Sequence, residues 1–389
     1  MDIQKKVQAC LERSVEQHEC AGISVLVRKN NREVLYAAAG HANAKAGTPL
    51  ERNHIFRLYS QSKPITSAAV MLLAERGLID LMDGVDRYLP GFASPKVLTD
   101  KGVVPANRPV RLMELLGMTA GLAYPDGDPV GQLVAKVFVE NEELMRAGGG
   151  MGTVEFCNRL GEIPLCFQPG SHWRYATCAD ILGAVVEVVS GKPFDQFLKD
   201  ELFIPLGMKD TDFWVPGDKQ NRLVTCYKRV PGGLEEYHSL HLAVGDYTRC
   251  PAFCSGGAGL VSTLDDYAAF AQMLLNGGEY QGVRILKPDT VRYMTQAQLL
   301  PAPQADMWDS LNGYGYGKLM RVCQQPGQYD GLARLGEYGW DGWLGSYFAN
   351  FPTEKMTILS MQNTTDTGTA RAMRMVRNLV LAAESNGEL

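Results

Sequence analysis

Ser60-Gln61-Ser62-Lys63 is the stretch from which the fold can be argued, and it is the one S-x-x-K pattern in the 389 residues. Residues three apart on a helix are surface neighbours, so the Ser60 hydroxyl and the Lys63 ammonium can meet. A free serine is a weak nucleophile and needs an adjacent base. Lysine can be that base when burial or a nearby positive charge favours its neutral form. The simpler alternative is that Ser60 caps a helix and Lys63 is solvated.

The residues after the tetrad follow the repeat of a helix. Pro64 fits only near a helix start, where a missing N–H costs little, and Gly77 is typical of a helix end. Ser60 is therefore expected at the N-terminal end, where free N–H groups and the helix dipole stabilise a developing negative charge. The apolar positions recur at helical spacing: Ile65, Ala68, Ala69, Leu72 and Leu73.

Composition and charge exclude several classes of protein. With 46% hydrophobic and 21% charged residues the chain can bury a sizeable core. A net charge of -5 without any Lys/Arg-rich block argues against a nucleic-acid partner. The sequence shows no apolar signal region and no apolar run long enough to span a bilayer. We therefore expect neither export nor a membrane partner, and we predict a cytoplasmic protein.

The cysteine and histidine patterns favour neither disulfides nor a metal centre. The nine cysteines are scattered, and the nearest pair, Cys250 and Cys254, has no second pair or flanking histidine to complete a zinc pattern. The six histidines form no H-E-x-x-H pattern. We therefore predict reduced, mostly buried thiols and no metal or cofactor.

The secondary-structure signals place strands at both ends of the chain and helices between them. From 60 to about 207 the pattern is mainly helical, and no internal repeat is visible. This order predicts an α/β fold with one domain over 1–389: an α/β lobe from 1–59 plus 245–389, and an inserted, mainly helical lobe from 60–244. The individual predictions are strands at 22–28, 33–39, 313–320, 346–351 and 356–361, and helices near the N-terminus, at 179–190 and at 369–383.

Five segments, in order along the chain, resemble the serine β-lactamase and penicillin-binding-protein superfamily. Residues 57–66 resemble its first motif, 110–122 its "LLTHTSGL" segment, and 169–175 its "PG-x-x-W-x-Y" segment, while 256–263 and 273–278 are similar to later signatures. The closest resemblance is to the esterase-like branch related to class C β-lactamases, the family VIII-type carboxylesterases. It implies a β-lactamase/transpeptidase-like fold with an antiparallel sheet built from both termini and flanked by helices.

The resemblance also implies roles for particular residues. Ser60 would be the nucleophile, and Tyr175, at the second motif, would complete a proton-transfer dyad with Lys63. A phenol needs a neighbouring cation to act as a base near neutral pH, and Lys63 would supply it. Gly342 would let a strand approach the substrate closely. The backbone N–H groups of Ser60 and Trp343 would form the oxyanion hole.

Two departures from the antibiotic-hydrolysing pattern change the expected chemistry. Tyr175-Ala176-Thr177 replaces the usual Y-x-N, and Trp340-Asp341-Gly342 replaces the usual K-T-G. The K-T-G lysine offers a cation to a carboxylate-bearing substrate, whereas Trp340 is neutral and Asp341 would repel an anion. A W-x-G variant resembles carboxylesterases and acyltransferases, and Trp340 is expected as a substrate-pocket wall, with a core aromatic as the alternative.

These observations favour a serine carboxylesterase that acts on a small-molecule ester. An α/β-hydrolase is disfavoured because the chain has no G-x-S-x-G elbow. The alternatives are a β-lactamase or D-amino-acid peptidase, an acyltransferase using the same site, and a catalytically silent binding protein. The segment 123–167 is expected to shape the pocket. The sequence leaves the natural substrate and the oligomeric state open.

Overall fold

The computed structural model describes residues 2–329 and 331–389. Its strands, in chain order, are β1 Gly22–Lys29, β2 Arg32–Asn43, β3 Thr48–Pro49, β4 Phe56–Arg57, β5 Lys96–Thr99, β6 Gly102–Pro105, β7 Tyr227–Val230, β8 Gly233–Glu236, β9 Val261–Ser262, β10 Glu279–Tyr280, β11 Val283–Arg284, β12 Tyr314–Tyr316, β13 Arg321–Cys323, β14 Tyr338–Asp341, β15 Tyr347–Phe351 and β16 Met356–Gln362.

The helices precede, separate and follow these strands. A 3₁₀ helix, Tyr59–Ser62, leads directly into the α-helix that begins at Lys63. The α-helices are α1 Ile3–Glu16, α2 Lys63–Glu75, α3 Leu112–Leu116, α4 Pro129–Arg146, α5 Thr153–Gly161, α6 Cys178–Ser190, α7 Phe194–Leu198, α8 Ile204–Leu206, α9 Leu264–Leu275, α10 Pro288–Met294, α11 Pro301–Gln304 and α12 Arg371–Ser385.

One large antiparallel sheet joins the two ends of the chain. Its strand order is β12-β13-β14-β15-β16-β1-β2-β3. The N-terminal strand β1 pairs with the C-terminal strand β16, with Val25 opposite Ser360. The predicted hairpins are also present, as β1–β2 and as β15–β16, where Phe351 faces Met356. The fold class expected from the sequence is therefore confirmed.

The two faces of the sheet are covered by different helices, because successive side chains of a strand point to opposite faces. On β1, Val25 and Val27 pack into a cluster with α1 and α12. Leu26, between them, belongs instead to the larger core that includes α2, α6 and α9. Helices α2, α6 and α9 thus lie on one face, and both terminal helices lie on the other.

The region inserted between β4 and β7 is mainly helical, as the sequence predicts, and its one sheet is the short hairpin β5–β6. The division into lobes at 59/60 and 244/245 stays a prediction. The predicted helix at 179–190 is α6, which ends at Gly191 with a left-handed φ of 67°. The helix predicted at 369–383 is α12.

The strand predicted over 313–320 is wrong in its second half. β12 ends at Tyr316, the chain then turns with Leu319 at φ 57°, and β13 begins at Arg321. Tyr316 faces Arg321 across the resulting hairpin. Leu319 and Met320 at this turn are buried in the core, and burial rather than strand pairing explains why they are apolar.

Two further findings bear on the expected environment. Among residues 2–329 and 331–389, no helix has both the length and the apolar character needed to cross a membrane. Seven of the nine cysteine side chains are buried, in agreement with the sequence, while Cys166 is half-buried and Cys250 is exposed.

Candidate active site

Ser60 and Lys63 meet at the start of α2. The Lys63 ammonium donates a hydrogen bond to the Ser60 hydroxyl at 3.1 Å and a second one to the Gly257 carbonyl at 2.8 Å. Ser60 is half-buried and accessible, whereas Lys63 is completely buried. The alternative of a capping serine beside a solvated lysine is therefore wrong for this pair.

Burial changes the acid–base behaviour of Lys63. Desolvation lowers its pKa from the ordinary 10.5 to about 7, and the nearby charge of Asp180 acts in the opposite direction. Removing an ammonium from water disfavours its charged form, which explains the sign. A large fraction of Lys63 is therefore neutral at physiological pH, as a general base must be.

Tyr175 stands over the Lys63 ammonium, whose nitrogen lies 4.6 Å from the centre of the phenol ring. Its hydroxyl accepts a hydrogen bond from Trp340 Nε1 at 3.0 Å. Burial raises the pKa of Tyr175 above its usual value of 10, although hydrogen bonds with Ser60 and Trp340 act against this. Tyr175 is thus a neutral phenol near pH 7, and it lies over the lysine that contacts Ser60.

The backbone around Ser60 is held in an unusual conformation. Tyr59 has φ 45°, a left-handed value that costs a non-glycine residue about 1–3 kcal/mol. Its ring packs edge-on against Trp343, with 5.0 Å between ring centroids. Trp343 in turn stacks on His241 at 4.0 Å. This aromatic packing helps to hold the turn that presents Ser60.

Gly342 brings the end of β14 against the segment before Ser60. A Cβ atom on Gly342 would lie 2.3 Å from the Leu58 carbonyl oxygen and 2.3 Å from Ser346 Oγ, so only glycine fits without movement. Across residues 2–329 and 331–389, the N–H groups of Ser60 and Trp343 have no hydrogen-bond acceptor. Both donors predicted for an oxyanion hole are thus unpaired and belong to adjoining segments.

The two motif departures have structural explanations. Thr177 donates its hydroxyl proton to the Ala123 carbonyl and is buried at the start of α6. Asp341 accepts from the Thr369 hydroxyl and lies 3.8 Å from the buried Arg321 guanidinium. Because Arg321 balances its charge, Asp341 repels an anion less than its sequence position alone suggests.

Trp340 lies behind Tyr175 and is only 1% exposed. The wall that faces solvent is Trp308, which is 46% exposed and packs edge-on against Tyr175 with 5.0 Å between ring centroids. A cleft of about 410 Å³ opens here, lined by Tyr124, Asp126, Trp173, Arg174, Tyr175, Asp306 and Trp308. Trp340 therefore affects the cleft indirectly, because it packs behind the Tyr175 and Trp308 rings that line it.

A second, larger cavity of about 690 Å³ lies between the end of α4 and the segment 240–253. It reaches Ser255 and Gly259, and Ser60, Lys63 and Tyr175 are not among its walls. The segment 123–167 contributes Tyr124 and Asp126 to the cleft, and residues 145, 146 and 148–150 to the larger cavity.

Several residues at the site escaped the sequence argument. Gly257 supplies the carbonyl that holds Lys63, and the buried Asp180 carboxylate accepts the Gly257 N–H at 3.0 Å. Tyr124 places its ring 5.6 Å from the Lys63 ammonium, and its buried hydroxyl is unpaired among the described residues. A signal existed for Asp180, which is a lone carboxylate in the apolar run 178–186.

The chain matches the Beta-lactamase family over residues 7–382. An uncharacterised protein of Mycobacterium tuberculosis is 30% identical over 368 residues, which cover 90% of this chain and 88% of that relative. Esterase EstB of Burkholderia gladioli is 28% identical over 375 residues, 92% of this chain and 90% of EstB. The solved structure of EstCE1, a hydrolase with promiscuous acyltransferase activity, has a TM-score of 0.83 at 26% identity and covers 97% and 98% of the two chains.

These comparisons agree with the fold and with the family resemblance read from the sequence. The family match extends through nearly the whole chain, so it does not depend on the S-x-x-K tetrad alone. The esterase and hydrolase among the similar proteins support serine hydrolase activity. The predicted resemblance is confirmed, and the chain belongs to the Beta-lactamase family.

Proposed function

We propose that the protein is a serine carboxylesterase that works through an acyl-enzyme on Ser60. The observation that carries the proposal is the 3.1 Å hydrogen bond between Lys63 Nζ and Ser60 Oγ. Burial lowers the pKa of Lys63 to about 7, so the base has a proton affinity suited to neutral pH. EstB is named an esterase and is similar over most of the chain, which supports the same chemistry here.

In the acylation step Ser60 Oγ attacks the ester carbonyl carbon while its proton moves to neutral Lys63. The C–O bond to the leaving alcohol then breaks, and the alcohol oxygen must receive a proton. Tyr175 can pass one on, because its oxygen accepts from Trp340 and a phenol can donate its own O–H at the same time. The proton on Lys63 then restores the phenol through the hydroxyl of the departing alcohol, which gives a proton to Tyr175 and takes one from Lys63.

The tetrahedral intermediate carries its negative charge on the former carbonyl oxygen. The unpaired N–H groups of Ser60 and Trp343 are the donors assigned to it, and the dipole of α2 adds to their effect. A donor of this kind contributes about 10²–10³ in rate. Water then attacks the acyl-enzyme, with the same Lys63–Tyr175 pair taking and returning a proton.

Acyl transfer is the second candidate, because an alcohol can replace water in the last step without any other change. EstCE1 is described as a hydrolase with promiscuous acyltransferase activity, which favours testing this outcome. The measurement is the ratio of acid to new ester when a p-nitrophenyl ester is turned over in the presence of a short alcohol. A product that is mainly the new ester would reassign the protein as an acyltransferase.

Neutral esters are the substrates that this site favours over β-lactams and D-amino-acid peptides. Where a K-T-G lysine would meet a substrate carboxylate, Trp340 is buried and engaged with Tyr175. Thr177 is turned towards the Ala123 carbonyl. Turnover of nitrocefin or a D-Ala-D-Ala peptide as fast as that of p-nitrophenyl esters would contradict this preference.

The direct test compares Ser60→Ala with Ser190→Ala, a serine at the end of α6 outside the site. We expect Ser60→Ala to lose ester hydrolysis and labelling by a fluorophosphonate, and Ser190→Ala to keep both. Mass spectrometry of the trapped acyl-enzyme should place the added mass on the peptide containing Ser60, and a panel of acyl-chain lengths gives the acyl preference. Unchanged hydrolysis in Ser60→Ala, with no serine labelled by the fluorophosphonate, would overturn catalysis at this site.

A further inference from the structure

The Gly257 carbonyl that holds Lys63 belongs to a turn, residues 255–259, which is tied down at several points. The Gly257–Ala258 peptide directs its carbonyl to Lys63 Nζ at 2.8 Å, and its N–H, on Ala258, donates to Ser255 Oγ at 2.9 Å. The Thr66 hydroxyl donates to the Gly256 carbonyl at 2.7 Å. Both ends of the Gly257–Ala258 peptide therefore have partners, and its orientation is defined.

The carboxylate of Asp180 accepts two of the hydrogen bonds that hold this turn. One of its carboxylate oxygens, Oδ1, accepts from the Ser255 hydroxyl at 2.5 Å and from the Gly257 N–H at 3.0 Å. Asp180 lies on α6 and is 2% exposed. A Cβ atom on Gly257 would lie only 3.0 Å from Asp180 Oδ2, so the turn and the carboxylate are in close contact.

We propose that Asp180 is a positioning residue for Lys63: it orients the Gly257–Ala258 peptide that holds the ammonium, and its buried negative charge balances the ammonium. The inference rests on the proposed function, because it gives Lys63 the part of the base. A continuous chain of hydrogen bonds runs from Asp180 through Ser255 and Ala258 to Lys63 and Ser60. Such chains strengthen one another in a low-dielectric interior.

The other ionisable groups that face Lys63 do not balance its charge as Asp180 does. Burial raises the pKa of Cys178, Tyr124 and Tyr175, so these groups are neutral near pH 7. Asp341 is the remaining carboxylate that favours the charged form of Lys63, and its own partner is Arg321. Asp180 has the largest electrostatic effect on Lys63 among these groups.

Lys63 is also the cation that stabilises the charge of Asp180. Burial raises the pKa of Asp180, while the hydrogen bond from Ser255 and the charge of Lys63 lower it. On the neighbouring helix α5, the Cys157 thiol donates to the Asp180 backbone carbonyl at 3.3 Å, and burial keeps that thiol protonated by raising its pKa. Lys63 and Asp180 therefore each favour the charged form of the other.

The test is Asp180→Asn, which keeps an oxygen acceptor and removes the charge. Loss of a nearby opposite charge lowers the pKa of a lysine by about one unit or more. The acid limb of the pH profile of kcat/KM should move to lower pH by that amount, so the rate at pH 6 rises from roughly a tenth to about half of the plateau. A weaker base should also lower the plateau several-fold.

Asp266→Asn is the matched control. Asp266 is a half-buried carboxylate that likewise accepts from a backbone N–H, that of Asp210 at 2.7 Å, and from a hydroxyl, that of Thr211 at 3.1 Å. Its charge is not among those that affect Lys63. Asp266→Asn should leave the acid limb in place. The comparison therefore distinguishes the effect of losing Asp180 from the effect of losing any hydrogen-bonded carboxylate.

A readout independent of catalysis is the titration of Lys63 followed by NMR of ¹³Cε-labelled lysine, with Lys63→Met identifying the signal. The midpoint should fall in Asp180→Asn and not in Asp266→Asn, whether or not the protein hydrolyses esters. If Asp180→Asn does not fold, Ser255→Ala replaces it and should also lower the midpoint, because the freed peptide no longer holds the ammonium. An unmoved NMR midpoint in the folded variant would overturn the proposal, even if activity were lost.

Discussion

Trp340 Nε1 lies 3.0 Å from the Tyr175 hydroxyl oxygen and donates a hydrogen bond to it. The two side chains come from distant parts of the sequence, the end of strand β14 and the loop before α6. Their rings also pack at 5.5 Å between centroids. The tryptophan at the position of the usual third-motif lysine thus donates to the phenol oxygen and packs against its ring, which fixes the place of the phenol.

This relationship predicts different costs for two conservative changes. Tyr175→Phe removes the proton relay, and we expect kcat for a p-nitrophenyl ester to fall by about 10²–10⁴. Trp340→Phe keeps an aromatic ring and removes one hydrogen bond, worth about 0.5–1.5 kcal/mol, so kcat should fall only about 2- to 12-fold. Equal losses in the two variants would mean that Trp340 does more than orient Tyr175.

The pH dependence should follow Lys63. Because burial lowers the pKa of Lys63 to about 7, the active neutral form is lost as the pH falls through that value. The plot of kcat/KM against pH should rise with an apparent pKa near 7 and reach about a tenth of its plateau one unit below. The apparent value belongs to the coupled Lys63–Tyr175 pair. An acid limb near pH 4–5 would instead implicate a carboxylate.

Gly342→Ala should damage catalysis more than folding. The added Cβ would lie 2.3 Å from the Leu58 carbonyl oxygen, so strand β14 must move away from the segment that carries Ser60. The Trp343 N–H moves with it, and loss of one oxyanion donor lowers kcat by about 10²–10³.

Gly217→Ala is the control, because a Cβ atom there meets nothing within 4 Å. It should keep both kcat and the melting temperature. If Gly342→Ala retained full kcat, the Trp343 N–H would have no part in the reaction.

The buried ion pair between Arg377 and Glu337 should be important for stability. The two groups approach to 2.7 Å and are almost completely buried between the sheet and α12. Glu337→Gln leaves the guanidinium charge without its partner, and we expect urea unfolding to show a loss of about 3–5 kcal/mol.

The exposed pair of Arg292 and Asp289 supplies the comparison. Asp289→Asn should change the free energy of unfolding by less than about 1 kcal/mol, because solvent screens the interaction. If Glu337→Gln and Asp289→Asn lowered the free energy of unfolding by similar amounts, the buried Arg377–Glu337 pair would be no more important for stability than an exposed pair.

Much of the candidate site could be predicted because its motifs are local. Ser60 and Lys63 are three residues apart, and the periodic apolar residues after them define the helix that sets their spacing. The Asp180–Ser255–Gly257 cluster could not be predicted in this way. Ser255 and Gly257 follow Asp180 by 75 and 77 residues, and they meet it only when α6 packs beside the turn 255–259. Trp308 likewise reaches Tyr175 from a distant loop.

The sequence by itself determined the family, the β1–β2 and β15–β16 hairpins, helices such as α2, α6 and α12, and the pairing of a serine with a lysine, because these depend on short spacings and on the period of apolar residues. Only the tertiary structure decided the charge state of that lysine and the surroundings of the phenol. Burial of Lys63 lowers its pKa to about 7, and Asp180, Gly257 and Trp340 reach the site through packing of separate elements. Desolvation and long-range contacts are properties of the folded chain, and no local pattern encodes them.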